Sequence, residues 1–150
     1  MTEIIKTTEI PEIQKPRALA FLSSLALAPM SVAIPCLVLA LILSPSDPAQ
    51  AEATFVLLVP FVGMFIGAPA YLTFGAYFLH TALARGRTGL KPFVKVGFLA
   101  HLASTPIAII IFALADLNST IQFGAGYFAL GCIFAPLWSA IFAALYKRMS

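Results

Sequence analysis

Charge is what this chain has least of. Asp, Glu, Lys and Arg make up 10% of the residues against 61% hydrophobic, a balance outside the range of water-soluble domains. The six acids are Glu3, Glu9, Glu12, Asp47, Glu52 and Asp116, and none falls in the central part of a long apolar stretch. Proton-coupled carriers need a carboxylate there, so that mechanism is disfavoured, and no pair of acids is placed for acid–base work. Cysteine is nearly absent too. Cys36 and Cys132 stand alone without a C-x-x-C, which removes the thiol-oxidoreductase reading. At helical rise they fall ~10 and ~16 Å from the ends of their stretches, an offset that argues against a disulfide. No H-E-x-x-H, G-x-S-x-G or Walker A motif is present. Gly86-Arg87-Thr88-Gly89-Leu90-Lys91 only superficially looks like a phosphate loop, and its spacing is wrong. The sequence therefore predicts no catalytic residue, no cofactor and no metal, and a protein that is not an enzyme.

What is present is apolar sequence in four long runs, at about 18–43, 54–83, 93–115 and 121–146. Each has at least the ~20 residues that a helix needs to cross the ~30 Å hydrocarbon core. The cations divide sharply around them. Lys6, Lys15 and Arg17 precede the first run; Arg85, Arg87, Lys91 and Lys95 lie at or just beyond the second connection; Lys147 and Arg148 follow the fourth run. The first and third connections carry no Lys or Arg. Cations resist translocation, so both termini and the middle loop are expected in the cytoplasm. The fold class that follows is all-α: an integral membrane up-down-up-down four-helix bundle over 18–146, with a short cytoplasmic tail at 1–17 and a cytoplasmic end at 147–150. This layout is that of small bacterial inner-membrane proteins. The net charge of +3 is spread over three juxtamembrane sites, where anionic lipid accounts for it, and no nucleic-acid partner is expected.

The connections read as turn chemistry. Ser44-Pro45-Ser46-Asp47-Pro48 ends the first helix. The segment from Asp116 to Thr120 is too short for anything but an antiparallel hairpin. Its Asn118-Ser119-Thr120 matches a glycosylation sequon but reads better as a helix cap. The tail, with Pro11, Pro16 and scattered isoleucines, reads as a mobile segment. Ala49-Gln50-Ala51 has the form of a signal-cleavage site, but the apolar run before it is too long for a signal peptide, so the first helix is expected to be retained.

Inside the runs, proline is the unusual residue. Pro29, Pro35, Pro60, Pro69, Pro106 and Pro136 each remove a backbone donor and crowd the carbonyl four residues earlier, which predicts kinks. Ser31, Thr73, Ser104, Thr105 and Ser139 are close enough in sequence to offer replacement donors. Gly63-x-x-x-Gly67, continued by Gly75, forms a ridge of small residues suited to close helix packing. His80 and His101 are the two histidines; a haem or proton-relay role is the sharp reading and a hydrogen bond across helices the commoner one. Phe93, Tyr77 and Tyr146 suit an inner interfacial belt, Phe55, Phe123 and Tyr127 an outer one, and Trp138 falls deep enough to pack within the bundle. The stretch from Gly63 to Pro69 echoes that from Gly131 to Pro136, the pattern of a duplicated hairpin in parallel orientation.

Three functions fit these features. The first is a non-enzymatic accessory, assembly or immunity-type protein acting through helix contacts, with the bilayer, a second copy or another membrane protein as partner. The second is a small oligomeric transporter or permeation unit. The third is a haem or redox protein using His80 and His101.

Overall fold

The computed structural model describes residues 17–43, 48–87, 89–115 and 120–150. The expectations placed on the tail, on 44–47 and on 116–119, including the sequon and the Ser119 cap, lie outside the described residues. The elements are α1 (Ala18–Ile42), α2 (Pro48–Ala70), a π turn (Tyr71–Gly75), α3 (Ala76–Ala84), α4 (Leu90–Ala115) and α5 (Thr120–Met149). The π turn joins α2 to α3 without a break, so the chain makes four candidate membrane spans, each long and apolar enough to cross a bilayer.

The helix ends follow local chemistry. Pro48 opens α2, six residues before the apolar run, because a first-turn proline loses no intrahelical bond. Pro92 is tolerated in the first turn of α4 for the same reason. The end of α3 is set by Gly86, whose φ is +69°. Its N–H bonds the carbonyl of Leu83 at 2.8 Å, and the Arg87 N–H bonds that of Ala82 at 3.1 Å. This is the Schellman arrangement, and a glycine in left-handed conformation makes it inexpensive. Lys147 and Arg148, at the negative end of the α5 dipole, carry that helix on to Met149.

The spans form an antiparallel bundle in which α5 packs against α1, α2 and α4, while α4 also lies along the π turn and α3. The main core gathers Phe21 and Leu25 of α1, Leu79 of α3, Phe93 and Val96 of α4, and Trp138 and Phe142 of α5. All of these lie toward the end that carries Arg17, Arg85 and Arg148, here called the basic end. There the first and last helices are tied: the Arg17 N–H donates to the Tyr146 hydroxyl at 3.2 Å, and the Arg17 guanidinium donates to the Ser150 carbonyl. Outward-facing side chains are large and apolar, such as Leu114 at 83% and Leu19 at 81% exposure. Water would not tolerate such a surface, whereas lipid solvates it.

One expectation changes: Phe93 and Tyr127 are buried in the bundle and do not join an interfacial belt, whereas Tyr77, Phe55 and Phe123 are exposed. Helical structure continues through Pro29, Pro35, Pro60, Pro106 and Pro136, and a π turn follows Pro69.

Candidate functional site

The candidate site is built where α4 and α5 come closest. Lipid offers apolar side chains no less favourable surroundings than a neighbouring helix does, so helices meet in a membrane through fit and hydrogen bonds. Two glycines supply the fit. The His101 imidazole occupies the space that a side chain on Gly131 would need, and Ser139 with the Ala135 carbonyl does the same at Gly97.

His101 is the hub of this contact. Its Nε2 lies 3.1 Å from the Phe128 carbonyl. A carbonyl can only accept, so Nε2 carries the proton and donates. The rings of Tyr127 and Phe128 lie at 5.2 and 6.0 Å from the imidazole. Ser104 and Thr105 both donate their hydroxyls to the His101 carbonyl at 2.9 Å. The proton of Ser104 is thereby committed, so the Tyr127 hydroxyl, 3.0 Å away, donates to the Ser104 oxygen. This network joins α4 to α5 at two points.

Beside it a cleft of about 330 Å³ opens between the second span, α4 and α5. Its lining runs along α5 from Gln122 to Ser139, about 25 Å at helical rise. Facing α5 are Gly63, Gly67, Tyr71 and Gly75 of the second span, with Gly97, His101 and Ser104 of α4. Among the described residues, no Asp, Glu, Lys or Arg lines it. Among the described residues, the Tyr71 and Ser139 hydroxyls beside it are buried and have no hydrogen-bond partner.

The sequence candidates are distributed as follows. Gly63 and Gly67 turn toward α5, where an added methyl would stand 3.5 Å from Phe134 and 3.2 Å from Trp138. Gly75 instead carries the ring of Tyr71 from its own helix, and a methyl there would stand 2.9 Å from that ring. The Tyr71 ring meets Trp138 edge to face at 5.4 Å. His80 is exposed, with its ring against Phe21 of α1 at 5.8 Å; His101 is buried against α5, so the two histidines serve different contacts. Cys36 and Cys132 are free thiols, half-buried.

The hydroxyls near the prolines do not replace the lost donors. Ser31 donates to Ala28 at 2.8 Å and Thr73 to Pro69 at 2.7 Å, while Ser104 and Thr105 serve His101 and Ser139 serves nothing. A helical Ser or Thr reaches the carbonyl three or four residues back along its own helix; of the carbonyls freed by proline, Leu102 alone falls in that reach, from Thr105, which bonds His101 instead.

Gly97 was not singled out from the sequence, while Gly131 drew notice there only in the hairpin echo and Ser139 only as a donor near a proline. One signal was available: Gly131, Ala135 and Ser139 are small residues at four-residue spacing on α5. Comparison with protein-family models, with curated proteins and with solved structures finds no match for this chain.

Proposed function

We propose that this chain is a non-enzymatic multi-pass membrane protein whose working part is the cleft between the second span, α4 and α5, and that it acts by holding an apolar partner there without transforming it. The observation that carries this reading is the cleft itself, at the lower end of ligand-pocket size and walled largely by glycine and aromatic residues. Of its polar lining groups, His101 Nε2 is engaged with Phe128, and Ser104 with Tyr127 and the His101 carbonyl. Gly63 and Gly67 face aromatic rings of α5 and line the cleft with Gly75, so the ridge of small residues is read as one wall of it. The basic residues support a placement with both termini in the cytoplasm.

Gly126 gives a direct test. It lines the cleft, and an added Cβ there would meet nothing within 4 Å. Gly126→Phe therefore plugs the cleft with little strain on the bundle. In proteoliposomes, a diazirine-bearing alkane should label cleft-lining peptides of the wild type above the lipid-facing ones, and Gly126→Phe should remove the excess. Equal labelling of both proteins rejects the reading.

The length of the cleft along α5 favours a second reading, a small oligomeric transport unit. Solute flux through wild-type proteoliposomes that is blocked by Gly126→Phe would support it, and absence of flux for solutes of every charge class would reject it.

A further inference from the structure

We propose that the face of α4 carrying Lys91 and Lys95 holds one anionic phospholipid of the leaflet at the basic end, with its phosphate on the two ammonium groups and an acyl chain in the groove beyond them. The groove shares no residue with the cleft, so this inference is independent of what the cleft binds.

The groove lies on the outer side of the α4–α5 contact. Val94, Lys95, Phe98 and Leu99 form its α4 wall, and the half-buried Pro136 of α5 closes it. The three apolar α4 residues are between 38% and 53% exposed, so they face lipid and not a neighbouring helix. Gly97, His101 and Ser104, turned the other way on α4, line the cleft.

Helical spacing puts both lysines at the head of this groove. Lys91 and Lys95 stand one turn apart on one face of α4, about 6 Å along its axis. Phe98 and Leu99 continue that face three and four residues further on. From the basic end inward, the face therefore presents two cations and then an apolar furrow, the order of a phospholipid's anionic head and its chain.

The two charges have no acidic side chain to pair with in the described bundle. Among the described residues the sole acid is Glu52, near the start of α2 at the opposite end. Lys95 stands beside Val94, Phe98 and Leu99, where an ammonium is costly unless it rises to the interface and meets an anion. A lipid phosphate supplies that anion, with an acceptor oxygen for each lysine. A zwitterionic head carries its own ammonium and no net charge, so an anionic head is favoured. The cations of the other helices are arranged differently. The Arg17 guanidinium is bonded to the Ser150 carbonyl, and Lys147 and Arg148, as adjacent residues of α5, do not share a face.

The test uses full-length protein in phosphatidylcholine vesicles doped with a trace of photoactivatable lipid, either phosphatidylglycerol or phosphatidylcholine, with a diazirine near the glycerol end of one acyl chain. Labelled peptides are mapped by mass spectrometry. Wild type is compared with Lys91→Gln/Lys95→Gln, with Lys91→Arg/Lys95→Arg, with Lys147→Gln/Arg148→Gln, and with a tail variant combining Glu3→Gln, Glu9→Gln and Glu12→Gln. Both lysines are exposed, so neutralising them leaves the core intact, and the arginine pair checks that charge is what the lipid reads.

The phosphatidylglycerol probe should label Val94–Leu99 and the stretch around Pro136 well above the phosphatidylcholine probe, and well above the lipid-facing stretches of α1. Lys91→Gln/Lys95→Gln should lower that excess by about fivefold for each lysine. The arginine pair and Lys147→Gln/Arg148→Gln should each keep most of it. Equal labelling by the two probes overturns the proposal, as does an excess that survives the loss of both lysines. An excess that falls as far with Lys147→Gln/Arg148→Gln overturns it too, since the attraction is then diffuse over the basic end. An excess that emerges only in the tail variant overturns it as well, because the chain's own acidic tail then occupies the lysines.

Discussion

The two halves of this bundle are packed by different means. At the basic end, large side chains interlock: Phe21, Leu25, Leu79, Phe93, Trp138 and Phe142 form one core. Phe142 meets Phe21 edge to face at 5.3 Å and Phe93 at 6.0 Å. Toward the other end, the buried apolar residues of α1 are Ala33 and Ala40, and most neighbouring side chains face outward. Between the halves, glycine decides the outcome by what stands opposite it. Gly131 opposite His101 and Gly97 opposite Ser139 close the gap between α4 and α5. Gly126 opposite nothing leaves it open. A small residue is thus neither a contact nor a cavity until its neighbour across the interface is known.

That contrast can be broken at four positions. Gly131→Leu should have the largest effect, about 3 kcal/mol or more of destabilisation, because the His101 ring cannot move without giving up Phe128. Loss of monodisperse protein in detergent would register it, and His101→Ala should partly rescue a milder Gly131→Ala change. Phe142→Ala should cost about 2 kcal/mol, less than the ~3–5 of a water-soluble core, since the unfolded reference keeps the ring in lipid. A thermal scan with a thiol-reactive dye reads this, because Cys36 and Cys132 are free and half-buried. Gly126→Ala should raise stability by about 0.5–1 kcal/mol through helix propensity alone; a fall would mean that the space beside it is not open. Phe55→Ala, at a position 72% exposed, should stay within about 0.5 kcal/mol of wild type.

Much of the architecture was legible in the sequence, for reasons of solvation. Four apolar runs longer than the bilayer is thick leave a helix as the single economical backbone state. The site was less legible, because it depends on pairing across helices. Gly63-x-x-x-Gly67 drew attention as a motif, yet its two glycines meet Phe134 and Trp138, and Gly75 meets its own Tyr71. The closest contacts belong to Gly97 and Gly131, which no motif on a single helix joins. His101 was visible as an ionisable residue in an apolar run, but its carbonyl partner on α5 was not, since every residue carries a carbonyl. The unpaired state of Tyr71 and Ser139 is likewise a property of surroundings, and no spacing along the chain encodes it.

The wide turn at Tyr71–Gly75 has a consequence for the length of this span. Five residues there complete a hydrogen-bonded loop that four would complete in an ordinary helix, as the Ala76 N–H bond back to the Tyr71 carbonyl records. The second span thus holds one residue more in this turn than an α-helix would, while Gly67 faces Trp138 and Leu79 faces the core. A shortened chain lacking one residue among Leu72, Thr73 and Phe74 should therefore still assemble, with the bulge ironed out and the outlook of Tyr71 on the cleft altered.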